Sequence, residues 1–137
     1  MNANELRLGN YVYFPFTKEV VKILGINAHE NNGKIENSIS FMNGLNLYCE
    51  QLEKLKAIDL SQEQLIDFGW ETDCEKYDII CFINKKLDID NINYIKNKKQ
   101  FYWNCWENTK EIKYVHELQN LYFALTGEEL VLPQNLI

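Results

Sequence analysis

The sequence predicts an α+β fold: a small SH3-like or curled antiparallel β lobe over residues 1–58, then a lobe over 59–137 with a short helix, an antiparallel sheet and a C-terminal helix. Three observations predict it. Short β-rich runs separated by turn residues fill the first lobe, a capping box opens a helix at Ser61, and an apolar stripe of helical period runs from Val115 to Leu125. The 137 residues, 46% of them hydrophobic, suffice for one domain or for two very small lobes sharing a core.

Taken in order, Tyr11-Val12-Tyr13-Phe14 reads as a strand that Pro15 interrupts, because proline has no N–H for a ladder. From Val20 to Ile26 β-branched residues dominate, with Val21 and Ile23 on one face and Val20, Lys22, Leu24 and Ile26 on the other. His29 to Gly33 is turn chemistry, Ile35 to Phe41 alternates, Asn43-Gly44 marks a second turn, and Leu45 to Tyr48 is a further strand. Residues 49–58 read as a helical turn or a connector.

The second lobe opens with the clearest local signal. Ser61 and Gln64 have capping-box spacing, Leu60 and Leu65 occupy the two places of a hydrophobic staple, and Gly69 stands where a helix ends. The helix is therefore placed at about Gln62 to Phe68. Strands follow at Tyr77–Ile83, Leu87–Ile95 and Phe101–Trp106, joined through Asn84-Lys85-Lys86 and Asn97-Lys98-Lys99. The last helix spans about Lys113 to Leu125, buries Val115, Leu118, Leu121, Tyr122 and Leu125, and stops at Gly127.

Charge narrows the partners. The net charge of −6 is uneven: residues 59–90 hold three basic and nine acidic groups, whereas 91–106 hold Lys96, Lys98 and Lys99 and no acid. Such a chain is poorly suited to extended DNA binding, which needs many phosphate contacts. No apolar stretch reaches the roughly 18 residues of a membrane span. The first residues lack the basic start and apolar run of a signal peptide, so the expected location is the cytoplasm and the expected state of the four cysteines is free thiol.

Catalytic machinery is not evident. None of the serines (38, 40 and 61) lies in a nucleophile turn, and Ser61 is explained as a cap. Cys105 and His116 form a pair only if the fold joins them; a buried strand thiol and a helix-surface histidine is the simpler account. His29 and His116 stand alone, and the cysteines show no ligand spacing, so no metal and no cofactor is expected. Asp88-Ile89-Asp90-Asn91-Ile92-Asn93 superficially matches a calcium loop, yet lacks its glycine and its closing acid. The glycines are scattered, with no phosphate loop. Glu128-Glu129 after the last helix reads as a solvated pair.

One constellation carries a binding chemistry. Lys96, Lys98 and Lys99 run into Phe101-Tyr102-Trp103 and Trp106, placing ammonium groups beside rings as a nucleobase-and-phosphate ligand requires. Alternation puts Tyr102 and Trp106 on one face as the stacking pair if Trp103 is core. The simpler account is a lysine-rich hairpin turn guarding a strand edge, with the rings packing the core.

Glu5-Leu6-Arg7-Leu8-Gly9-Asn10-Tyr11-Val12, the segment from Ile58-Asp59-Leu60-Ser61 to Phe68-Gly69-Trp70, and Tyr114 to Leu130 (YVHELQNLYFALTGEEL) together resemble a family of small uncharacterised proteins of Bacteroidota phages and mobile elements. In the middle segment the family's prolines are absent and Trp70 replaces its last Phe. The resemblance implies an origin and a bacterial host's cytoplasm rather than an activity. Accessory proteins of such elements often act by stoichiometric binding. The expected role is therefore a non-catalytic counter-defence protein, one that sequesters a small anionic nucleotide signal at Lys96, Lys98, Lys99, Tyr102 and Trp106 or blocks a host protein. The competing expectation is a structural interaction module with an apolar patch around Tyr11, Tyr13 and Phe14. Its aromatic richness is compatible with a homo-oligomer.

Overall fold

A computed structural model of the chain describes residues 1–87, 90–105 and 108–132. It has an α+β architecture with two antiparallel sheets, and it divides into a unit spanning Met1–Ile58 and a second from Asp59 onward.

The first unit is a four-stranded meander: β1 (Tyr11–Phe14), β2 (Glu19–Asn31), β3 (Lys34–Asn43) and β4 (Asn46–Gln51), in sequence order. Alternation explains its core, to which Val12 and Phe14, Val21 and Ile23, and Ile39 and Phe41 contribute successive inward pairs, closed by Leu6, Leu52 and Leu55. β2 serves both neighbours. It pairs with β1 through Lys22, then shifts register between Ile23 and Gly25 and continues along β3. A side chain at Gly25 would meet Ser40 Cβ at 3.2 Å, so the bare glycine permits this close crossing. The β2–β3 turn shrinks to Asn32-Gly33, both at positive φ (50° and 75°), as a primed hairpin turn demands.

After β4 the chain makes a 3₁₀ turn at Leu52–Lys54 and returns to the free edge of β1. There Tyr13 and Lys56 exchange both backbone hydrogen bonds, each 2.9 Å. The chain thus curls back onto the sheet's first strand.

The second unit holds α1 (Gln62–Asp67), strands β5 (Glu71–Lys76), β6 (Ile79–Ile83), β7 (Asn91–Ile95), β8 (Gln100–Cys105) and β9 (Asn108–Ile112), and α2 (Val115–Thr126). The capping box forms as expected: Gln64 N–H donates to Ser61 Oγ at 3.2 Å, and Ser61 N–H to Gln64 Oε1 at 2.8 Å. Leu60 and Leu65 are both buried. Gly127 ends α2 at φ 73°.

Five strands stand where three were expected, in the order β5-β6-β7-β8-β9. The two unexpected ones are the edges. Every residue of β5 is exposed, and β9 buries only Ile112, so neither carries an apolar alternation. Tyr77, expected to begin a strand, instead occupies the two-residue turn between β5 and β6 at φ 55°. One face of the sheet buries Phe82, Ile92, Phe101 and Ile112. The opposite face is open, and its central row runs Cys74, Cys81, Asn93, Tyr102, Glu111 across all five strands.

Candidate binding surfaces

The basic segment forms the β7–β8 hairpin. Ile95 pairs with Gln100, leaving Lys96 to Lys99 as the connection, with Lys99 at φ 54°. The residues expected to act together have different surroundings. Lys96 is ion-paired with Glu75 of β5, and its N–H donates to the Asp78 carbonyl at 2.8 Å. Lys98 projects into solvent. Tyr102 lies on the open face, its hydroxyl donating to Gln100 Oε1 at 2.9 Å. Trp106 lies outside the described residues.

Lys99 is the member that borders a cavity. Two clefts, of about 360 and 250 Å³, share Leu60, Lys99 and Phe101. The larger adds Ser61, Gln62, Glu63 and Tyr94, whose ring packs on Phe101 with centroids 4.7 Å apart. The smaller adds Asp59, Glu111 and Lys113 among others. A hydrogen bond with the Tyr114 side chain, the largest influence, raises the Lys113 ammonium above its ordinary range. The charges are nonetheless mixed: Lys99 shares the larger cleft with Glu63, and two lysines share the smaller with Asp59 and Glu111. A polyanion gains little from such a lining, whereas a ring with few charges is accommodated.

In the first unit the expected apolar patch dissolves into the core. Tyr11 and Phe14 are buried and Tyr13 is half-buried. Exposure shifts to Phe16, 85% accessible, in the Pro15–Lys18 connection where no strand alternation can turn it inward. Phe16, Phe14 and Tyr48 line a cleft of about 450 Å³, rimmed by Glu50 and Lys54, which form a 2.8 Å ion pair. Phe41 stacks on Tyr48 at 5.7 Å and 9°, fixing one wall of the cleft. On β3 and β4 the cross-strand partners Met42 and Leu47 are also exposed, and the turn beside them leaves Leu45 97% accessible.

This cleft was not anticipated. Its sequence signal is an aromatic residue placed directly after a proline inside a turn, where burial has no local cause.

Two of the catalytic candidates have structural surroundings. Ser61 Oγ accepts the cap hydrogen bond, and His116, expected on the helix surface, is instead fully buried and stacked on Tyr114 at 5.5 Å. The Cys105 side chain, and Asp88-Ile89 of the acid-rich run, lie outside the described residues. Cys74 and Cys81 are direct cross-strand partners, a juxtaposition that linear spacing did not reveal. Among the described residues no helix is long and apolar enough to cross a membrane. Comparison with protein-family models, curated proteins and solved structures returned no match.

Proposed function

We propose that this chain is a non-catalytic binding protein whose first unit engages another protein, in the manner of the counter-defence proteins of phages and mobile elements. The observation that carries this reading is the Phe14–Phe16–Tyr48 cleft with its exposed Phe16. A free aromatic ring beside an aromatic floor leaves a large apolar area to be covered, and aromatic side chains dominate interface energetics. The rim pair Glu50–Lys54 supplies both signs of charge, which suits a peptide segment with an apolar anchor and polar flanks. Met42, Leu45 and Leu47 are further exposed apolar side chains of the same unit.

The test uses the intact protein as bait in a lysate of a bacterial host, followed by affinity measurement with the captured partner. Phe16→Ala is expected to weaken binding by about 2 kcal/mol or more, roughly thirtyfold, as loss of an aromatic hot spot does. Undiminished binding would remove the cleft from the interface.

A second reading is favoured by one observation, the meeting of two clefts at Lys99 and Phe101. On that reading the second unit sequesters a nucleotide-class ligand, with Tyr94 offering the ring and Lys99 the charge. A thermal-shift series with mononucleotides and cyclic di- and trinucleotides tests it. Saturation at about a hundred times the dissociation constant gives roughly 2.7 kcal/mol of stabilisation.

A further inference from the structure

We propose that Asp73, Cys74 and Cys81 form a binding site for a soft divalent cation of the zinc class on the open face of the second unit's sheet. The inference stands apart from the protein-binding role of the first unit.

Register is the reason these three side chains meet. Thr72 pairs with Phe82 and Cys74 with Cys81, so Asp73 is an extra residue on β5. Phe82 and Cys81 are adjacent on β6 and face opposite ways, the one into the core and the other onto the open face. In a regular strand without the bulge Cys74, two residues on, would share the core-side face of Thr72. The bulge re-aims it, and Asp73 with it, towards Cys81.

As a result one carboxylate oxygen and two sulfur atoms all lie within 4.8 Å of one another. Bonds of about 2.3 Å from a tetrahedral metal to two sulfurs would set them about 3.8 Å apart, within reach of side-chain rotation alone. Two thiolates and a carboxylate are a borderline-soft donor set, matched to zinc and to cobalt(II) rather than to magnesium or calcium. Three protein ligands leave the fourth tetrahedral position to water, and the exposed Cys74 and Asp73 leave it open.

As the two metal–sulfur bonds form, both thiols release their protons to solvent. On the far side of Cys81, its cross-strand partner Asn93 offers an amide beside the site.

Cobalt(II) titration of the reduced protein tests the assignment. The expected result is a thiolate-to-cobalt charge-transfer band that saturates at one equivalent and is displaced by zinc. Cys74→Ser and Cys81→Ser should each remove about half of the band's intensity and weaken binding by on the order of a hundredfold. Asp73→Asn should retain the band and weaken binding by about tenfold. Cys49→Ser, in the other unit, should leave it unchanged, and far-UV dichroism confirms that each variant is folded. Absence of the band, or its persistence in the Cys74→Ser/Cys81→Ser protein, overturns the proposal. So does a reduced protein that ignores cobalt and zinc yet closes a Cys74–Cys81 disulfide in air.

Discussion

At the scale of single residues, exposure separates side chains that hold the fold from those free to act. Phe16 touches the Phe14 ring at a centroid distance of 5.9 Å but keeps most of its surface in water. Phe16→Ala should change unfolding free energy by no more than about 0.5 kcal/mol in denaturant titration. Phe41 is the opposite case, fully buried between Phe14 and Tyr48. Phe41→Ala should cost about 3–5 kcal/mol by the same measurement. Cys81 adds a pH dependence. Its folded-state pKa is raised, so its contribution to stability is complete below the ordinary thiol range and is lost as pH rises from about 9 towards 11. Thermal midpoints of the metal-free protein should fall over that interval, and Cys81→Ser should shallow the fall.

At the scale of elements, local signals and long-range ones part company. The α1 capping box was legible because its chemistry spans Ser61 to Gln64 alone. Ser61→Ala should cost about 1 kcal/mol, measured by thermal or denaturant unfolding. The end of α2 at Gly127 was legible for the same reason, since a left-handed residue after an apolar stripe marks a helix stop. β5 and β9 were not legible. Glu71 to Lys76 reads as solvated chain, and it becomes a strand only because Cys74, Glu75 and Lys76 find partners on β6. Alternation separated Tyr102 from Phe101 and Trp103 correctly in the sequence, because strand period is local. That Glu75 would engage Lys96, and that a bulge at Asp73 would join two cysteines, depends on register across three strands. Neither leaves a mark in linear spacing.

At the scale of the whole molecule, charge and surface chemistry define the partners. A net charge of −6, with Lys96 already paired to Glu75, leaves no extended cationic track among the described residues. Retention on duplex DNA in a gel-shift assay should be absent at about 0.15 M salt, where even dedicated binders depend on several phosphate contacts. On the first unit Phe16, Met42, Leu45 and Leu47 are exposed apolar side chains. A protein partner covering Phe16 and a small ligand seated at Lys99 would therefore depend on different units of the chain.

The most direct measurement compares Phe16→Ala with Lys99→Ala, by titration calorimetry, in binding to whatever molecule the intact protein captures. A protein-binding role predicts a loss of about thirtyfold or more with Phe16→Ala and near-native affinity with Lys99→Ala. The reverse pattern, native affinity without the Phe16 ring and a collapse without the Lys99 ammonium, would contradict it and assign function to the second unit's clefts.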